Sequence, residues 1–229
     1  MNLQPIQAIP GFSEPFSSLS HLLAAGVFFG LGVRLVMQGL GHAGRVIALV
    51  IFIFSVVFLL AMSGVFHLLE PGSTGRMVLQ RLDHAGIFLL IAGTYTPVHG
   101  ILFKGWWRWG MLLIIWSIAI TSITLKTIFF NEIAEWLGLT LYLGLGWFGA
   151  VSGALLYHRH GFQFIKPLIY GAVAYTLGAV MEFQRTPELI PGIIGPHEMF
   201  HIAVLFGIAY HFAFVFRLIQ ARAPISQYP

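Results

Sequence analysis

Seven apolar runs, each long enough to cross a bilayer as a helix, constrain this chain more than any other feature. They lie near Leu19–Met37, Val46–Leu69, Ala85–Phe103, Trp106–Ile128, Trp136–Tyr157, Pro167–Phe183 and His197–Phe216. An α-helix needs about 17 to 25 predominantly apolar residues to span the hydrocarbon core. Inside lipid it also satisfies its own backbone hydrogen bonds, which an open strand cannot do. The linkers between the runs are too short to build a soluble module. The expected fold class is an all-α integral membrane protein, a seven-transmembrane helix bundle over residues 19–218. A short N-terminal segment (1–18) precedes it and a tail (219–229) follows.

Composition supports the same compartment, because 58% hydrophobic and 9% charged residues cannot furnish a soluble globular surface. The net charge of +4 would suggest nucleic acid in a soluble protein. Here membrane orientation accounts for it, and no phosphate loop or nucleic-acid motif is present, so no nucleic-acid partner is expected. An odd number of spans puts the termini on opposite sides. Arg34, Arg45, Lys104, Arg108, Arg159, Lys166, Arg217 and Arg222 fall on the C-terminal side, against Arg76, Arg81, Lys126 and Arg185 on the other. The positive-inside tendency then predicts a multi-pass protein of the cell (inner) membrane, N terminus outside and C terminus cytoplasmic. Met1 to Ser18 contain no Lys or Arg, so no cleaved signal peptide is expected.

The last apolar run opens with His197-Glu198-Met199-Phe200-His201, an H-E-x-x-H. On a helix the two histidines face the same way and can bind one metal ion. Ionisable side chains at membrane depth are costly, which makes them functional candidates by default. The chain has no cysteine, so a bound metal must be held by His, Asp or Glu. The span count places other polar groups at the same depth: Ser63 and His67 close the second run, Asp83 and His84 open the third, and Glu14, Ser17, Ser20 and His21 introduce the first. Four segments far apart in sequence thus converge on one side. His42, His158, His160 and His211 are expected outside the site, the first three in loops on the far side and the last about 21 Å up the helix from His197.

Ser63-x-x-x-His67, Asp83-His84-x-Gly86-Ile87 and His197-x-x-x-His201 resemble the three signatures of the progestin and adipoQ receptor family, in the family's order and over essentially the whole chain. The short bacterial-style chain is most similar to the hemolysin III branch. Glu14 to His21 resembles the family's N-terminal E-x-x-N-x-x-T/S-H, with Ser17 at the asparagine position. The resemblance implies a zinc ion held by His67, His197 and His201, with Asp83 close to the metal and its water. It also implies kinship with alkaline ceramidases, grouped as metal-dependent lipid hydrolases. The adiponectin receptors of the same family have a cytoplasmic N terminus, the reverse of this charge count.

Three neutral imidazoles with an open fourth position are a common catalytic zinc arrangement. Zinc lowers the pKa of a bound water to about 7, and a nearby carboxylate can take its proton. Asp83 is the candidate for that task. Ser63, one turn before His67, either holds Asp83 or the water or bonds back to its own helix. Glu198 matches the base of soluble H-E-x-x-H proteases; alternatively it is a negative charge in a helix's first turn, where it is favourable. His21 and His84 are expected either beside the ligands or at the membrane interface rather than among the ligands.

Two function classes follow: a zinc-dependent hydrolase that cleaves or senses a membrane lipid, and a receptor or regulator in which zinc pins the second and seventh spans. A pore-forming cytolysin ranks last, since few embedded charges are available to line an aqueous pore. Other features read as structural. Gly26/Gly30 and Gly149/Gly153 would let helices pack closely, Pro97 would kink the third span, and Trp106, Trp107 and Trp109 would anchor the interface.

Overall fold

A computed structural model describes residues 5–220 and is all helical apart from short loops and two isolated bridges. Residues 1–4 and 221–229, which include Arg222 and most of the expected tail, lie outside the described residues. Eight helices follow in order: α1 (Pro15–Gln38), α2 (Ala43–Leu68), α3 (Thr74–Leu102), α4 (Gly105–Ile128), α5 (Glu135–Trp147), α6 (Gly149–His160), α7 (Phe162–Gln184) and α8 (Pro196–Gln220). They make seven helices long and apolar enough to span a membrane, because α5 and α6 together form one crossing.

The fifth span was expected as one helix and is broken at Phe148. Gly144, Gly146 and Gly149 surround the break, and glycine weakens a helix interior. The Tyr95 hydroxyl lies 3.0 Å from the Leu145 carbonyl and 3.1 Å from that of Gly146. A continuous helix would give those acceptors to residues 149 and 150, so the neighbouring helix satisfies what the break frees. The helix α6 runs to His160, so His158 and His160 sit in its last turn rather than in a loop.

The helix α3 is the most buried and extends three turns beyond its apolar run. Ser73 caps its start by accepting the Arg76 backbone N–H at 3.3 Å. The helix continues through Pro97. Thr96 bonds back to the Ala92 carbonyl and accepts the Trp116 indole N–H, which ties α3 to α4. Phe52, Leu60, Ile208 and Val215 belong to a core shared by α1, α2 and α8. Phe88, Tyr95, Ile115 and Leu145 belong to a second core between α3, α4 and α5.

Of the four glycines expected to let helices pack closely, Gly149 does so: a methyl there would stand 2.7 Å from the Tyr95 hydroxyl of α3. Gly26 and Gly30 face open space, and Gly153 likewise has no neighbour that a methyl would meet. Their spacing satisfies the small-residue pattern, but the pattern does not say which face of a helix is covered. Further close contacts fall at glycines outside that expectation, among them Gly86 and Gly93 of α3 and Gly171 and Gly178 of α7. A methyl at Gly93 would stand 2.6 Å from Ser55 Cβ of α2, and one at Gly178 would stand 2.5 Å from Ala203 Cβ of α8. Of the expected tryptophan anchors, Trp106 and Trp109 are exposed, whereas Trp107 packs inward and gives its carbonyl to His99. Gly93→Leu should lower the detergent-solubilised melting temperature by the equivalent of about 1–3 kcal/mol of overpacking, whereas Gly26→Leu should leave it unchanged; equal losses at both would contradict this packing.

Candidate metal centre

His67 lies in the last turn of α2, and His197 and His201 lie in the first two turns of α8. Their Nε2 atoms converge: His197 stands 3.2 Å from His67 and 3.1 Å from His201. One ligand atom from each residue lies within 4.8 Å of the other two. Three imidazole nitrogens at tetrahedral angles around an ion with bonds of ~2.0–2.1 Å would stand about 3.3 Å apart. The donors therefore fit a metal ion, and among the described residues no other His, Asp or Glu joins the group.

The outward nitrogens explain why the inward ones converge. The Nδ1 of His67 donates to a Glu14 oxygen, and the other oxygen accepts from Arg76 at 2.6 Å. Arg76 also donates to the Leu69 carbonyl at 2.5 Å, which closes the end of α2 onto the start of α3. Burial pushes the Glu14 carboxyl up, but His67 and Arg76 outweigh it and hold the group at about 2. The Nδ1 of His197 faces Glu182 at 3.3 Å; Glu182 is paired with Arg185, which also reaches Glu135 at 2.8 Å. A carboxylate on Nδ1 fixes the tautomer and turns the Nε2 lone pair toward the shared centre. His201 has no such partner. Its ring stacks on His21, with centroids 3.9 Å apart, and neither His21 nitrogen has a hydrogen-bond partner.

The other residues singled out from sequence fall into two groups. Asp83 and Ser63 line a cavity of about 610 Å³ that also touches His67, His197 and His201. Asp83 is outside the ligand group, and His84 Nδ1 lies 3.8 Å from one of its oxygens. Ser63 is buried one turn from His67 and bonds neither to Asp83 nor to its own helix. Glu198 is buried too, but it does not line this cavity. One of its oxygens accepts the Gly195 backbone N–H at 3.0 Å and the other accepts the Ser17 hydroxyl at 3.0 Å. It occupies the third position of α8, where a glutamate reaches back to satisfy a free N–H at the helix start. Ser17 thereby ties α1 to α8.

The cavity runs between α3, α5, α7 and α8 with a polar mouth and a mainly apolar shaft, into which Thr94, Tyr142, Tyr175 and Thr176 also bring hydroxyls. Ile87, Leu90, Ile91, Leu143, Ala172 and Val204 line the shaft. It reaches His211, which the sequence distance alone placed outside the site. The ten residues from His201 to His211 cover about 15 Å of helix, so His211 closes the deep end of the same space. Its Nε2 donates to the Leu168 carbonyl at 3.2 Å. Sequence reasoning missed Glu182 and Arg185 as partners of His197; the available signal was an acidic residue at the end of a span on the histidine side. It also passed over His99, which is fully buried on the opposite side of the bundle, donates to the Trp107 carbonyl at 2.6 Å and accepts from Ser152 at 3.0 Å. That group joins α3 to α6 and is separate from the metal centre.

Residues 12–212 match the family model described as haemolysin-III related. The chain belongs to the haemolysin-III related family, a branch related to the progestin and adipoQ receptors. It is 33% identical over 175 residues to a protein of Bacillus cereus named Hemolysin-3, covering 75% of each chain. It is 29% identical over 202 residues to a Hemolysin-3 homolog of Bacillus subtilis, covering 84% of this chain and 91% of the relative. Membership and the seven spans identify a multi-pass membrane protein.

Removing an outer carboxylate separates orientation from ligation. In chelator-competition titrations with Zn2+, Glu182→Gln should weaken binding about 10–100-fold. Glu198→Ala should leave that affinity unchanged while costing about 1–3 kcal/mol of stability through the lost cap and the stranded Ser17 hydroxyl. Unaltered affinity in Glu182→Gln would mean that its contact with His197 does not orient the ring.

Proposed function

We propose that this protein is a membrane-embedded zinc hydrolase acting on an acyl amide or ester bond of a lipid. The observation that carries the reading is the placement of three convergent Nε2 atoms at the mouth of a cavity that extends about 15 Å along α8 to His211 between mainly apolar walls. A donor set of three imidazoles suits zinc. Zinc held by His67, His197 and His201 would polarise an acyl carbonyl and make a bound water acidic near neutral pH.

The chain's own groups supply the rest. Asp83 is the carboxylate on this cavity that is neither hydrogen-bonded nor clamped by an arginine. Its role is to accept a proton at the cavity mouth and later return it to the leaving group. Ser63 leaves its hydroxyl free beside it and positions the polar end of the substrate or a water. The shaft takes the acyl chain and excludes bulk water. His197 is the most open of the three histidines, which fits a centre that meets a ligand. By the charge count, this mouth opens on the side opposite the cytoplasm.

The second reading, a regulator in which zinc only pins α2 to α8, is favoured by one observation: the donors come from just those two helices. The open cavity and the absence of a fourth His, Asp or Glu in the group, among the described residues, support catalysis instead.

Elemental mass spectrometry of purified protein tests the metal first. Wild type should carry about one zinc per chain and His197→Ala/His201→Ala should carry none under matched folding; no metal in either sample removes the hydrolase reading. Against a panel of dodecanoyl amides and esters, Asp83→Asn should retain zinc and lose about 10²–10⁴-fold in turnover. Unchanged turnover would remove Asp83 as the base.

A further inference from the structure

Three cationic residues apart from histidine line the cavity: Arg76, Lys126 and Arg185. Arg76 is spent on Glu14 and Arg185 on Glu182 and Glu135. Among the described residues Lys126 has no carboxylate within ion-pair distance. Its ammonium lies 4.8 Å from the centroid of the Phe130 ring and 3.5 Å from the Phe130 carbonyl, the limit of a hydrogen bond. Glu135 attracts it from farther away but is itself held by Arg185 at 2.8 Å.

Other donors gather around the same ring. The Arg81 guanidinium lies 5.8 Å from the Phe130 centroid, with its Nε buried and unpartnered. The His84 ring meets Phe130 edge-on at 5.0 Å, and its Nδ1 is committed to the Gln80 carbonyl at 2.9 Å. Gln80, His84, Lys126 and Phe130 all line the cavity. A lysine in the last turn of a membrane helix ordinarily reaches outward to the interface. Here it folds inward over an aromatic ring and faces the same space as the three metal-ligating histidines.

Resting on the hydrolase reading, we infer that Lys126, backed by Phe130 and Arg81, receives the anionic phosphate headgroup of the lipid whose acyl bond meets the histidines. A phosphate monoester brings a charge of about −1.5 to −2 and three acceptor oxygens, and lysine binds phosphate as a compact point charge. Among the described residues the ammonium meets only the Phe130 ring and carbonyl and no anion at ion-pair distance. The substrate class is therefore a phosphate-bearing acyl lipid rather than a neutral ceramide or diacylglycerol.

The matched probes are dodecanoyl lysophosphatidic acid and monododecanoylglycerol, which share chain and glycerol and differ by the phosphate. Binding to the detergent-purified full chain is measured with each, and the wild-type ratio is compared with that of each variant so that micelle partitioning cancels. Wild type should prefer the phosphate form about tenfold, a difference of about 1.4 kcal/mol. Lys126→Gln should abolish the preference and Lys126→Arg should keep it. Lys166→Gln, which alters a cation against Tyr170 outside the cavity, should also keep it. An undiminished preference in Lys126→Gln, or none in wild type, overturns the inference. Inorganic phosphate that competes as strongly as the lysolipid overturns the lipid source and leaves a free-phosphate site. The readout is binding, so a preference that persists in protein without zinc or turnover sinks only the hydrolase reading. A wild type that hydrolyses neutral lipid without preference sinks only this one.

Discussion

Placing ionisable groups at membrane depth is tolerable only if they compensate one another, and the histidine cluster is where this chain concentrates the problem. Three Nε2 atoms at 3.1 and 3.2 Å cannot all be hydrogen-bonded to each other, because a neutral imidazole with its proton on Nδ1 offers only a lone pair at Nε2. Glu14 and Glu182 hold that proton on Nδ1 in His67 and His197. The inward lone pairs are left needing a cation. Arg76 and Arg185 then balance the two carboxylates and fasten them to the ends of α2 and α7. The helix packing follows from this: α1 must lie between α2 and α8 to deliver Glu14 and Ser17, and the glycine contacts of α3 on α2 and α7 on α8 hold those helices near enough.

The cavity inherits its polarity from the same arrangement. Every acidic residue among those described lies on the N-terminal side, and the four that line the cavity, Glu14, Asp83, Glu135 and Glu182, stand at its mouth, so the shaft receives none. A ligand entering this space meets charge first and hydrocarbon after. On the proposed reading an amphiphile would fit that gradient, with its acyl bond at the junction where Asp83 and the histidines meet the apolar wall.

Much of this was legible in the sequence, and the exceptions have definite physical causes. The seven spans could be read because apolar length is dictated by the bilayer, and the convergence of His67, Asp83 and His197 followed from counting crossings. The break at Phe148 could not, since the clustered glycines permit it but the Tyr95 hydroxyl on α3 completes it. The packing faces were also hidden: Gly26 and Gly30 have the right spacing but lie on an uncovered face, while Gly86 and Gly93, seven apart, meet α2. Glu182 and Arg185 were missed because their partner is contributed by another helix. His211 was set aside on a correct distance along α8, and a cavity running parallel to that helix makes the distance irrelevant.

Glu198 shows how one short pattern acquires different chemistry from its position in a helix. In an H-E-x-x-H lying mid-helix, the glutamate projects beside the ligand pair and is available to a water. Here α8 begins at Pro196, so the same glutamate is the third residue of the helix. At that position the carboxylate folds back to a backbone N–H that has no helical acceptor, and Gly195 supplies that N–H at 3.0 Å. The second oxygen is claimed by the Ser17 hydroxyl, and Ser17 is fully buried, so releasing the carboxylate would strand two donors at once. Proline at the first position, which lacks an N–H and prefers helical φ, fixes this register. On the hydrolase reading, proton transfer beside the histidines would thus fall to a carboxylate from another helix. Asp83 is the one lining the cavity that no arginine, backbone N–H or hydroxyl holds.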